Sequence, residues 1–121
     1  MPRTVLLADD SVTAQNMGRR ILTDAGYEVI TAEDAVAGGH LLLKEKPDLM
    51  IVDVEMPYMT GYEFVAAVKA DPATRDTPVV FLTTDPGVAE QARKLKAHGF
   101  LNKPVLASRL LETVALLLGP D

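Results

Sequence analysis

The chain has 121 residues, 48% hydrophobic and 24% charged, which is the size and balance of one globular domain and excludes a disordered or fibrous chain. A net charge of −5 removes the electrostatic basis for direct nucleic-acid binding, and the lack of cysteine excludes disulfides, a thiol nucleophile and Cys-ligated zinc. Two histidines are too few for an imidazole metal cage, and no apolar run approaches the ~18 residues of a membrane span, so a cytoplasmic protein with no membrane partner is expected.

Val5–Ala8 is a short apolar run ending in Asp9 and Asp10, and it reads as a first strand. Ser11 can cap the helix that follows, whose inward stripe is Ala14, Met17, Ile21, Leu22 and Ala25, with Gly26 at its C-cap. Tyr27–Ile30 is a second strand, marked as an edge by Glu28. Asp34 to Lys46 reads as a helix with Leu42 and Leu43 inward, although Gly38 and Gly39 each cost it up to about 1 kcal/mol relative to Ala. Leu49–Val52 is a third strand, almost purely aliphatic. Thr60-Gly61-Tyr62-Glu63 has capping-box spacing and opens a helix that buries Phe64, Val65 and Val68. Val79–Leu82 is a fourth strand, after which Asp85-Pro86 reads as N-cap and first residue of a helix burying Ala92 and Leu95 and capped by Gly99. Phe100–Leu101 is a fifth strand running into polar Asn102 and Lys103, and the last helix buries Leu110, Leu111, Val114, Leu117 and Leu118 with Leu116 opposite.

Five strand–helix units whose strands are apolar on both faces predict an α/β, doubly wound, five-stranded parallel sheet of (βα)5 type, helices covering both surfaces. The polar second and fifth strands belong at the edges, which gives the order 2-1-3-4-5. The carboxyl ends of such strands share one edge of the sheet, where ligands bind. That edge receives Asp9 and Asp10 from the first strand, Asp53 from the third, Thr83 and Thr84 from the fourth and Lys103 from the fifth.

Like charges ~4 Å apart repel by ~4 kcal/mol at an effective dielectric near 20, so three facing carboxylates call for a cation. An oxygen-only donor set suits Mg²⁺, with Mn²⁺ as the substitute, over zinc or copper. Taken singly, each residue has an ordinary reading: helix-capping acids for Asp9 and Asp10, a loop acid for Asp53, a strand-end hydroxyl for Thr83, a surface lysine for Lys103. Their joint placement at four strand ends carries the functional one. The first turn, Asp9-Asp10-Ser11, lacks the glycines of a phosphate cradle, which disfavours dinucleotide and P-loop chemistry.

Leu7-Ala8-Asp9-Asp10-Ser11, Ile51-Val52-Asp53-Val54-Glu55-Met56-Pro57, Phe81-Leu82-Thr83-Thr84 and Asn102-Lys103-Pro104 together resemble the receiver domain of two-component response regulators, similar to the chemotaxis-type single-domain ones. The match runs nearly end to end, as one receiver domain over 1–121 with the flavodoxin-like fold, free-standing or part of a longer protein. The resemblance implies that Asp53 is the phosphoacceptor for a sensor histidine kinase or phosphotransfer protein, that Asp9, Asp10, Asp53 and the Glu55 backbone carbonyl hold Mg²⁺, and that Thr83, Thr84 and Lys103 meet the phosphoryl oxygens. It implies a switch through Thr83 and Phe100 that remodels the face of the fourth helix, fifth strand and fifth helix for a downstream partner, with a homodimer through that face one arrangement open to it. Phe100 lacks the hydroxyl of the family's common Tyr. Glu55 and Asp85 occupy positions that influence phosphoryl lifetime, and the Lys103-Pro104 bond is expected to be cis. Specificity for the kinase would lie on the first helix, at residues such as Gln15, Arg19 and Arg20; Arg93, Lys94 and Lys96 read as a solvated helix face. Such a domain is a signalling module and turns over no diffusing substrate. Two other readings stand beside it: a receiver-like interaction module that works without phosphorylation, and an aspartyl-phosphate phosphatase, which should instead carry Asp-x-Asp after its first strand.

Overall fold

The computed structural model describes residues 2–119. Five strands and five helices alternate: β1 (Thr4–Ala8), α1 (Val12–Asp24), β2 (Glu28–Ala32), α2 (Ala35–Glu45), β3 (Leu49–Asp53), α3 (Gly61–Ala70), β4 (Val79–Thr83), α4 (Val88–Lys94), β5 (Gly99–Asn102) and α5 (Ala107–Leu118). All pairings are parallel, in the order β2-β1-β3-β4-β5. The two polar strands do stand at the edges, and the three aliphatic ones fill the centre.

The two-residue period of the strands sorts the core into two layers. Leu6, Met50, Val52, Val79 and Phe81 point to one side, where α2, α3 and α4 supply Leu42, Phe64, Val65, Val68, Val88 and Ala92. Val5, Leu7, Leu49, Ile51, Val80 and Leu82 point to the other, against Leu22 of α1 and Leu110, Val114 and Leu118 of α5. Full burial of side chains this size stabilises the fold by roughly 1.5–3 kcal/mol each before ordering entropy is subtracted. The sheet is thus fixed from both faces, and its carboxyl edge is left to carry polar groups.

Local sequence accounts for most helix starts. The Ser11 hydroxyl accepts from the Ala14 N–H, the Asp34 carboxylate from the Ala37 N–H, and Thr60 and Glu63 form the full capping box. Gly26 follows α1 with φ 99°, a conformation that favours glycine.

Five expectations are corrected. Leu43 is exposed, because α2 turns only its Leu42 row onto Phe64 and Val68. Met17 is also exposed, on the flank of α1 beyond its contact with the sheet, and Ala25 is exposed too, as the C-cap of that helix. The fourth helix starts at Val88 rather than Pro86: the Asp85 carboxylate closes a turn by accepting the Gly87 N–H, and only then does the chain become helical. Gly99 does not cap that helix but begins β5, and the left-handed residue past the helix end is Lys96, with φ 59°. Leu116 is exposed as anticipated, and Arg93 and Lys94 pair with Glu90 on a solvated face.

Candidate functional site

Asp9, Asp10 and Asp53 converge at the carboxyl edge, each offering a carboxylate oxygen within 4.8 Å of the others'. Asp9 is 1% exposed and Asp53 2%, whereas Asp10 faces solvent. The convergence follows from register. β1 and β3 are neighbours pairing Ala8 with Val52, so the residues one step beyond, Asp9 and Asp53, face each other where the strands splay towards their helices. The Asp9 side chain is pinned by the Ser11 N–H at 2.9 Å, its backbone N–H donates to the Ala32 carbonyl, and the Gln15 amide donates to its carbonyl.

Asp53 is held through one oxygen. Its Oδ1 accepts from Lys103 Nζ at 2.7 Å and from the Glu55 N–H at 3.2 Å. Neither of these donors reaches Oδ2. Burial is the largest influence on this carboxyl, and with the Asp9 charge it outweighs the Lys103 and Glu55 hydrogen bonds, pushing its pKa up from 3.8 to about 6. Lys103 is pulled down by burial, but its hydrogen bond to Asp53 and the charges of Asp53, Asp9 and Glu55 prevail and raise it. A site with this excess of negative charge, built of oxygen donors and open on one side, fits a hard divalent cation.

The approach of α3 is set by Gly61. A Cβ there would lie 2.5 Å from the Asp53 carbonyl oxygen and 2.8 Å from the Val54 Cα, so only glycine lets the helix start directly behind the acid. Its N–H donates to the Val54 carbonyl at 2.8 Å. At the end of β4, Thr83 is fully buried, donating its hydroxyl to Glu55 Oε1 at 2.8 Å and accepting the Asp85 N–H at 2.9 Å. Thr84 follows it and is exposed. The Lys103-Pro104 bond is cis, as expected. Phe100 is 38% exposed on β5, directed away from the core.

A cleft of about 490 Å³ opens beside Asp53 and Lys103, between α1 and the segment joining β5 to α5, with Met17, Ile21, Val105 and Leu110 on its apolar walls. Met17, out of place as a core residue, lines this cleft. Gln15 and Arg19, the first-helix residues named for kinase specificity, also have internal partners: Gln15 the Asp9 carbonyl, and Arg19 the Val29 carbonyl and the Thr31 hydroxyl of β2. Tyr62 was not anticipated at the site. Its hydroxyl donates to Asp85 Oδ2 at 2.7 Å and its ring meets Phe81 edge-on with centroids 5.1 Å apart. Burial, then the Asp85 hydrogen bond and the charges of Asp85 and Glu55, raise the phenol, while the Gly87 N–H and the phenol lower Asp85. A tyrosine after a capping box is common, and only the fold reveals its acidic partner.

The model of the response regulator receiver domain matches residues 5–115. The chain belongs to this family. Chemotaxis protein CheY4 of Vibrio cholerae superposes with a TM-score of 0.90 at 38% identity, over 97% of this chain and 99% of that one. The polar-differentiation response regulator DivK of Brucella anthropi is 27% identical over 121 residues, 98% of each chain. The signal receiver domain of a signal transduction histidine kinase from Syntrophus aciditrophicus superposes with a TM-score of 0.81 at 27% identity, over 98% of this chain and 95% of that one. The protein is therefore a receiver domain of two-component signalling, and no helix among its described residues is long and apolar enough to cross a membrane.

Proposed function

We propose that this receiver, acting as a single domain over residues 1–121, accepts a phosphoryl group on Asp53 from the phosphohistidine of a sensor kinase or phosphotransfer protein. The observation that carries the reading is the environment of Asp53: almost fully buried, with Lys103 2.7 Å away and two further carboxylates close by. Oδ2, the oxygen that neither Lys103 nor the Glu55 N–H holds, attacks phosphorus; the P–N bond breaks and its electron pair returns to the imidazole. Lys103 and the Glu55 N–H hold Oδ1 meanwhile, which fixes the direction of attack.

Asp9, Asp10, Asp53 and the Glu55 backbone carbonyl are the groups that would hold Mg²⁺. Bound there, the ion supplies positive charge against the transferring phosphoryl group. Lys103, Thr83 and Thr84 are the groups that would meet the phosphoryl oxygens. The cleft beside α1, apolar at one end and acidic at the other, suits a protein donor that presents a histidine over Asp53. A change at Thr83 and Phe100 would pass the signal to a partner on the α4-β5-α5 face, and the side chains of Glu55 and Asp85 would set how long the phosphoryl group persists.

The test is labelling from a ³²P-phosphorylated histidine phosphotransfer domain with and without Mg²⁺, in the native chain and in Asp53→Asn. Mg²⁺-dependent label that hydroxylamine releases and that disappears in Asp53→Asn is expected. Label that persists in Asp53→Asn moves the acceptor elsewhere, and no label from any donor points to an interaction module that works without phosphate.

A further inference from the structure

Glu55 holds both sides of the site at once. Its backbone N–H donates to Asp53 Oδ1, and its carboxylate accepts the hydroxyl of Thr83 at 2.8 Å. Threonine has one proton to donate, and a carboxylate can only accept. The Thr83 proton is therefore committed to Glu55, while the hydroxyl's acceptor side takes the Asp85 N–H at 2.9 Å. Buried at 0% exposure, Thr83 has no solvent to replace either partner.

We propose that the Glu55 carboxylate is a latch that holds Thr83 in the resting state and must release its hydroxyl before that hydroxyl can reach a phosphoryl group on Asp53. The proposal rests on Asp53 being the phosphoacceptor. Glu55 is two residues beyond Asp53 and exposed, so its side chain has room to swing out. A dianionic group on Asp53 repels the Glu55 carboxylate and offers Thr83 a stronger acceptor in the same motion. The outer end of the device is Asp85, whose N–H holds Thr83 and whose carboxylate is held by Tyr62 and the Gly87 N–H, so movement of Thr83 pulls on the loop leading into α4. The latch thus converts charge on β3 into displacement of β4's end, and its strength sets how much of the unphosphorylated chain already has Thr83 free.

NMR on the full chain tests this, using the wild type, Glu55→Ala, Glu55→Gln, Thr83→Val and the double variant Glu55→Ala/Thr83→Val, each alone and titrated with beryllofluoride in Mg²⁺. Without beryllofluoride, Glu55→Ala should shift the Thr83 methyl and Asp85 amide resonances towards their bound positions. The titration midpoint should fall about tenfold in Glu55→Ala, the loss of one charge-assisted hydrogen bond from the resting state, and less in Glu55→Gln, which keeps a neutral acceptor. In the Thr83→Val background Glu55→Ala should change the midpoint by no more than about twofold. Equal gains from Glu55→Ala with Thr83 in place and in the Thr83→Val background would mean simple repulsion between Glu55 and the anion and overturn the latch, as would unchanged resonances in unliganded Glu55→Ala. A wild type that takes up no beryllofluoride instead overturns the phosphoacceptor reading, and the unliganded spectra still decide the Glu55–Thr83 contact.

Discussion

Lys103 Nζ sits 2.7 Å from Asp53 Oδ1 although 50 positions separate the two residues and the end of β4 lies between their strands. Lys103 is the cation paired with the buried acid, set against three clustered carboxylates, and the site is short of positive charge.

Burial first, and then the Asp9 charge, make ionising Asp53 inside the fold cost up to ~3 kcal/mol without a metal, the distance of its pKa from 3.8 to about 6 expressed as free energy. In chelator at pH 7.5, Asp53→Asn should unfold at higher urea, more stable than the native chain by roughly 1–3 kcal/mol. Adding Mg²⁺ should raise the native midpoint more than that of the variant. An Asp53→Asn chain less stable in chelator would show that the Lys103 pair outweighs burial and repulsion together.

Gly61 and Gly39 should respond oppositely to alanine. At Gly61 a methyl group meets backbone on β3, which has nowhere to move, so Gly61→Ala should lose ~3 kcal/mol or more and impair Mg²⁺ binding. At Gly39, within α2, nothing lies within 4 Å of a new Cβ, and Gly39→Ala should gain about 0.5–1 kcal/mol. Urea unfolding of both variants measures the contrast.

Tyr62→Phe keeps the ring contact with Phe81 and removes the hydroxyl from Asp85. Stability should fall by about 0.5–1.5 kcal/mol, and amide exchange should quicken at Gly87 and Val88. In the native chain the Tyr62 phenol titrates above its usual 10, because of burial and then Asp85; Asp85→Asn should lower it, read by absorbance near 295 nm.

His98 Nδ1 accepts the Val79 N–H at 3.3 Å, and burial, with the Lys69 ammonium nearby, lowers its pKa from 6.5. The unfolded chain binds the proton more readily, so His98's contribution is present above pH 6.5 and is lost as pH falls below it. Between pH 7.5 and 5.5 the urea midpoint should drop further in the native chain than in His98→Gln. Parallel curves would show that the Val79 contact does not depend on the neutral ring.

The architecture was legible because burial on both faces leaves an aliphatic signature: Leu49–Val52 and Val79–Leu82 cannot be edge strands, and Glu28 and Asn102 cannot be central ones. The acids and Lys103 were legible because strand ends in such a sheet share an edge. Details that depend on which way a side chain leaves its helix were not. Leu42 and Leu43 are chemically identical neighbours, and only the placement of α2 over Phe64 separates them. Asp85-Pro86 is a sound helix start locally, but its carboxylate is engaged by Gly87 and Tyr62. The Glu55–Thr83 bond joins residues 28 apart across two strands, and no local pattern encodes it.

The Tyr62–Asp85 contact also gives the molecule an optical property. The chain has no tryptophan and three tyrosines, so its near-ultraviolet emission comes from phenols alone. A phenol hydrogen-bonded to a carboxylate emits weakly, since proton sharing in the excited state drains its fluorescence. Tyr62 is therefore the dim member of the set while the β4–α4 loop rests, and any event that draws Asp85 away should brighten it. The protein carries its own label for the movement of that loop, two residues from the end of β4, with no dye attached.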